Sequence, residues 1–135
     1  MKKRGVQISD TVVTFKIGGI GGQGQQAAGL LFAKVWARQG YWTCDWSEYP
    51  SIIRGGHGTY QVSVGRTPVT AAYRTIHLLV ALSQETANRS IGDLADGAAV
   101  VFDADKVKVD AARAPRIRHH ALPIAQLLQS AGASP

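Results

Sequence analysis

Hydrophobic positions along this chain fall into short runs separated by glycine-bearing or polar segments. Val12 to Ile17 is apolar, rich in β-branched residues and ended by glycine, which predicts a buried strand. From about Gln25 to Arg38 the period changes to that of a helix, apolar on most of its surface, with Gly40 placed as a C-cap. Tyr41 to Trp46 is aromatic and β-branched and predicts a second strand. A strand–helix–strand unit of this length predicts a right-handed parallel crossover. Farther on, Thr59 to Val64 alternates polar and apolar, the pattern of a half-exposed strand. Ile76 to Leu82 is continuously apolar and predicts a central strand. Ser83 then opens a polar helical stretch as its N-cap, and Ala98 to Phe102 predicts another buried strand. Arg116 to Leu122 reads as one more strand, with a short helix at Ile124 to Leu128.

This alternation predicts an α/β fold: a Rossmann-like, three-layer arrangement around a mostly parallel sheet. Residues 1–11 are expected to be a flexible lead-in, and 12–135 a single domain. Only one long helix is evident, whereas a doubly wound sheet needs cover on both faces. The expectation is that the domain is incomplete at its C-terminus, or that a partner covers what it leaves bare.

Composition narrows the class. With 45% hydrophobic and 18% charged residues, the 135-residue chain has the balance of a globular protein. No apolar run approaches the roughly 20 residues that span a bilayer. The basic start Met1-Lys2-Lys3-Arg4 is followed by no apolar h-region, so the expected location is the cytoplasm, away from membranes. The net charge of +6 is spread along the chain, and Trp36, Trp42 and Trp46 are not interleaved with a basic stripe. That speaks against nucleic-acid binding. The single cysteine, Cys44, excludes an internal disulfide framework and a cluster held by this chain alone. It has no neighbouring base in sequence and is expected to be a buried thiol.

Candidate chemistry concentrates in two glycine-bearing stretches. The first is Gly18-Gly19-Ile20-Gly21-Gly22-Gln23-Gly24, between the first strand and the long helix. Gly19, Gly21 and Gly24 satisfy G-x-G-x-x-G, whose third glycine is expected to let the helix pack closely on the strand. Three readings stay open for Gly19, Gly21, Gly22, Gln23 and Gly24. They could cradle a phosphate-bearing ligand at the helix N-terminus, where backbone N–H groups and the dipole favour an anion. They could bind NAD, with Asp45, 21 residues beyond Gly24, on the ribose. Or they could form a tight turn that lets the helix or a partner chain approach.

The second stretch is Glu48-Tyr49-Pro50-Ser51-Ile52-Ile53-Arg54-Gly55-Gly56-His57, read as a loop because Pro50 and the paired glycines break regular structure. Arg54 offers a fork suited to carboxylate or phosphate, and His57 could relay a proton. The favoured reading is an interface or loop-structuring role, with Arg54 paired to an acid such as Glu48. His77, inside an apolar strand, reads as a hydrogen-bonded core or edge histidine rather than a ligand. His119 and His120 face opposite sides of a strand and cannot easily share a metal. Asp103 and Asp105 follow a strand's carboxyl end, where either ligand binding or capping would use them.

Taken together, residues 19–24 and 48–57 resemble the γ domain of the 2-oxoacid:ferredoxin oxidoreductases, a likeness that runs from about Val12 to Leu128. The second motif looks most like the type fused at the N-terminus of the α subunit in pyruvate- or 2-oxoglutarate-type enzymes. The resemblance implies a γ component of an enzyme that oxidatively decarboxylates a 2-oxoacid with coenzyme A. It also implies α, β and ferredoxin-like partner subunits carrying thiamine diphosphate, magnesium and 4Fe–4S clusters, with ferredoxin as acceptor. Nothing catalytic is implied for this chain alone, for which the resemblance makes coenzyme A a candidate ligand. Members of that family continue with further sheet and helix, so the resemblance implies a domain that is C-terminally incomplete here.

Overall fold

A computed structural model describes residues 12–49, 55–110, 112 and 116–132. The expected lead-in at 1–11 and the expected roles of Pro50 and Arg54 lie outside the described residues. The elements in order are β1 (Val13–Ile20), α1 (Gln25–Arg38), β2 (Trp42–Glu48), β3 (His57–Gly65), β4 (Ile76–Ala81), α2 (Gln84–Ser90), β5 (Leu94–Asp103), β6 (Arg118–Leu122) and α3 (Ile124–Ser130). A 3-10 turn over Ile91–Asp93 joins α2 to β5.

The strands form one sheet in the order β2-β3-β1-β4-β5-β6. β1, β4, β5 and β6 pair parallel, while β3 is antiparallel to both β1 and β2. The sheet is therefore mixed and mostly parallel, and the α/β, Rossmann-like expectation holds. The β1–α1–β2 crossover joins parallel strands, as expected, but not neighbouring ones. β2 runs in the same direction as β1 but does not pair with it, because β3 returns from the second glycine stretch and fills the place between them.

That insertion also corrects the reading of β3. Its alternating pattern predicts one exposed face, yet Gly58 to Gly65 are all buried. Tyr60, Val62 and Val64 join Phe15, Ile17 and Ala33 in a core under α1. The polar residues face the other side, where residues 66–75 cross the sheet and bury Val69. There Thr14 Oγ1 lies 3.3 Å from Ser63 Oγ, and Gln61 Nε2 donates to the Tyr73 carbonyl across 2.6 Å. A buried polar side chain with a partner is tolerated where one without it is not, so alternation alone could not report exposure.

α1 lies over the β2-β3-β1 half. Phe32 stacks on Phe15 with ring centroids 4.1 Å apart, and Trp36 meets Tyr41 edge-on at 5.1 Å. Its apolar residues do not all turn inward: Leu30, Leu31 and Val35 stand at 44%, 64% and 51% exposure. On the opposite face α2 packs by Ala87 on a second core of Ile76, Leu79, Ala81, Val100 and Val107. Beyond the reach of α1, over β4 and β5, a cleft of about 410 Å³ lies open between Phe32, Trp36, Leu78, Ala98 and Arg118. α3 buries none of its residues. The described helices thus leave apolar sheet and helix surface bare, as their small number suggests.

Candidate functional site

The described glycines of the two candidate stretches gather at the carboxyl ends of the parallel strands. β1 extends farther than its apolar run, so Gly18, Gly19 and Ile20 are strand and the loop proper is Gly21 to Gly24. β3 begins beside it: Ile20 pairs with His57, Gly19 with Gly58 and Gly18 with Thr59. The Gly21 amide then donates to the Gly56 carbonyl across 3.1 Å, which ties the first glycine stretch to the second. Two segments about thirty residues apart in sequence form one ridge at the end of the sheet.

Within the loop the glycines have separate jobs. Gly22 and Gly24 adopt φ of +94° and +83°, the left-handed region that a Cβ disfavours. Gly24 is the N-cap of α1, with open space around it, so the expected close packing of helix on strand is not its doing. That contact belongs to Gly29, whose missing Cβ makes room for the Tyr60 ring. Gln23 closes the loop on Ile20: the Ile20 amide donates to Gln23 Oε1 at 2.7 Å, and the Gln23 amide to the Ile20 carbonyl at 3.2 Å. No side chain caps α1, and its first turn carries no acid. Its leading N–H groups, which no helix can pair internally, are therefore available to an anion. Gln25 donates from Nε2 to the Ile20 carbonyl, while its buried Oε1 has no partner among the described residues.

Around this ridge sits a ring of polar groups. Glu48, at the end of β2, accepts from Thr59 Oγ1 at 2.7 Å. Tyr49 beyond it is 75% exposed, and Gly55 has φ of +75°. Ser47 Oγ donates to Gln26 Oε1 at 2.8 Å and fixes β2 to the first turn of α1. From the other side α2 brings Thr86, whose Oγ1 lies 3.4 Å from His57 Nδ1 and 3.0 Å from Ser83 Oγ. Burial holds the His57 pKa below its ordinary 6.5; Glu85 and Glu48 pull it up, and Arg89 and Lys16 push it down. His57 is therefore neutral at neutral pH.

Ser83, Thr86 and Gly18 were not singled out as site residues from sequence. Gly18 faces Thr86 so closely that a Cβ there would come within 2.6 Å of Thr86 Cγ2. The usable signal was a Ser-x-x-Thr segment directly after an apolar strand, since such a strand's carboxyl end belongs to the crevice.

The remaining candidates lie elsewhere. Asp45 is in mid-strand on β2, where Tyr60 Oη donates to it, and β3 separates that strand from β1. The NAD reading needs an acid beside the glycine loop, and this acid is otherwise engaged. Cys44 is half-buried rather than buried, because β2 is an edge strand. His77 accepts at Nδ1 from the Thr14 amide at 3.1 Å, as a structural histidine would. His119 is half-buried and its neighbour His120 exposed, on opposite sides of β6. Asp103 accepts from the Asp105 amide at 3.1 Å, a turn-capping role. Among the described residues no group of three or more His, Cys, Asp or Glu could hold a metal ion, and no helix is long and apolar enough to cross a membrane.

A mostly parallel sheet with its glycine ridge at the strands' carboxyl ends defines a Rossmann-like α/β protein. Residues 14–135 match the family model for pyruvate ferredoxin/flavodoxin oxidoreductase, and the chain belongs to that family. It is 34% identical over 92 residues to ketoisovalerate oxidoreductase subunit VorA of Methanothermobacter thermautotrophicus, covering 67% of this chain and 19% of the relative. The chain thus spans about a fifth of that relative's length. The γ subunit of a keto/oxoacid ferredoxin oxidoreductase from Geobacter sulfurreducens superposes with a TM-score of 0.77 at 25% identity, covering 91% of this chain and 67% of that one. A 2-oxoglutarate:ferredoxin oxidoreductase from Magnetococcus marinus, solved with 2-oxoglutarate, coenzyme A and succinyl-CoA bound, shares the fold. Its TM-score is 0.81 at 20% identity, over 93% of this chain and 22% of that one.

Proposed function

We propose that this chain is the γ-type component, residues 12–135 forming its one domain, of a thiamine diphosphate-dependent 2-oxoacid:ferredoxin oxidoreductase in the cytoplasm. The enzyme would oxidatively decarboxylate a 2-oxoacid with coenzyme A and pass electrons to ferredoxin. Thiamine diphosphate, magnesium and 4Fe–4S clusters would be carried by the partner subunits, and this chain would act in assembly and in the approach of coenzyme A.

The observation that carries the reading is the junction of the two glycine stretches through Gly21 and Gly56. It turns two short motifs into one surface beside the uncapped start of α1, whose leading N–H groups suit a pyrophosphate. The Magnetococcus enzyme of the same fold is described with coenzyme A bound, which makes that ligand the first to test. The bare apolar surface on α1 and over β4 and β5 supports a partner-covered domain. In this reading the second motif, Glu48, Tyr49, Pro50, Arg54, Gly55, Gly56 and His57, serves contacts with partner chains.

Native mass spectrometry of the chain purified from its own cells under anoxic conditions tests the proposal. Larger subunits carrying thiamine diphosphate and iron–sulfur clusters are expected in the same particle. A monomer or homo-oligomer without them would overturn it.

A further inference from the structure

The hydroxyls behind His57 have a direction. Ser83 Oγ accepts the Thr86 amide at 3.3 Å, as the N-cap of α2. Ser83 is buried, and among the described residues its own hydroxyl hydrogen has one acceptor in reach, Thr86 Oγ1 at 3.0 Å. A hydroxyl has a single hydrogen to give. If Ser83 donates to Thr86, the Thr86 hydrogen is left for His57 Nδ1 at 3.4 Å. Thr86 has no solvent to turn to, being 0% exposed, and its side chain is wedged against the missing Cβ of Gly18. An imidazole that accepts at Nδ1 and is neutral carries its proton on Nε2.

We infer that Thr86 is a positioning residue for His57: the Ser83–Thr86 hydroxyl relay holds His57 as the Nε2–H tautomer, a neutral hydrogen-bond donor beside the glycine loop. A ring in that state presents a proton to an acceptor oxygen, such as that of a phosphate or carboxylate ester. The charged groups that bear on it are Glu85 and Arg89 of α2, Glu48 of β2 and Lys16 of β1, two of each sign. The use made of the donor rests on the loop being a ligand surface; the tautomer does not, so the two can fail separately.

Nitrogen-15 NMR of the full chain with labelled histidine, at a pH above 6.5, reads the tautomer directly. His57 is assigned by the signals lost in His57→Gln. His77, whose Nδ1 accepts from a backbone amide, serves as an internal Nε2–H reference. The wild type should show a protonated Nε2 and a bare Nδ1 at His57. Thr86→Val should bring the two nitrogen shifts toward each other as the tautomers mix, and Thr86→Ser should restore the wild-type pattern. A proton on Nδ1 in the wild type, or a pattern unchanged by Thr86→Val, would overturn the inference. Where Thr86→Val does not fold, Thr86→Ala, which also removes the hydroxyl, carries the same expectation.

Discussion

Thr86 occupies the space where Gly18 would carry a side chain: a Cβ there would lie 2.6 Å from Thr86 Cγ2 and 2.8 Å from its Oγ1. One residue is in β1 and the other in α2, so this contact joins the sheet's end to the helix behind it. Gly18→Ala should cost about 1–3 kcal/mol by overpacking. Thr86→Ala in the same chain should return part of that loss. Urea midpoints of the two single variants and the double variant measure it, and strict additivity would show that the two sites do not meet.

Gly29 reverses an ordinary expectation. In a helix interior, alanine for glycine normally gains up to about 1 kcal/mol. Here the Tyr60 ring fills the place of the Cβ, so Gly29→Ala should lower stability despite the better propensity. A rise in the thermal midpoint would contradict the packing described.

Gly22 tests the loop and its ligand together. At φ of +94° an alanine costs roughly 1–2 kcal/mol, and no neighbour within 4 Å of the Cβ adds a clash. Gly22→Ala should therefore fold. Under the coenzyme A reading it should weaken binding of that ligand to the assembled enzyme at least several-fold in equilibrium titration. Unchanged affinity would leave the loop a purely structural turn.

The two faces of α1 should differ sharply. Phe32→Ala removes the ring stacked on Phe15 and should cost about 2–4 kcal/mol. Leu31→Ser, at a position 64% exposed, should change the isolated chain by less than about 0.5 kcal/mol. If the bare face of α1 is covered in the enzyme, Leu31→Ser should instead weaken co-purification of partner subunits.

Alkaline pH should act through Tyr60. Burial, with the hydrogen bond to Asp45 and that carboxylate's charge, raises its pKa from 10.0 to about 12. The folded state therefore keeps a proton that the unfolded state releases, and this contribution is present below pH 10 and lost as pH rises toward about 12. The histidines act at the other end. Burial lowers the pKa of His57 and His77, so their contribution is present above about 6.5 and fades as pH falls below it. Thermal midpoints between about pH 9 and pH 12 should flatten in Tyr60→Phe.

Most of the elements were legible in the chain itself. Glycine and proline punctuate the apolar runs, and those runs have lengths that only strands or helices satisfy, so β1, α1, β4 and β5 follow from local chemistry. Ser83 is recognisable as an N-cap because its oxygen bonds an amide three residues on. The two glycine stretches carry the family resemblance for the same reason: positive φ at Gly22, Gly24 and Gly55 constrains residue type position by position.

Tertiary structure alone decided what lies next to what. That β3 enters between β2 and β1 depends on where an eight-residue connection returns, and strand pairing over such distances leaves no local mark. That placement buries Thr59, Gln61 and Ser63, moves Asp45 away from the glycine loop and brings His57 against Thr86. The helix-packing glycine is Gly29 and not Gly24 because Tyr60 arrives on the inserted strand. Residue type follows from the backbone's own sterics, whereas neighbourhood follows from the whole sheet, and the site is made of neighbourhoods.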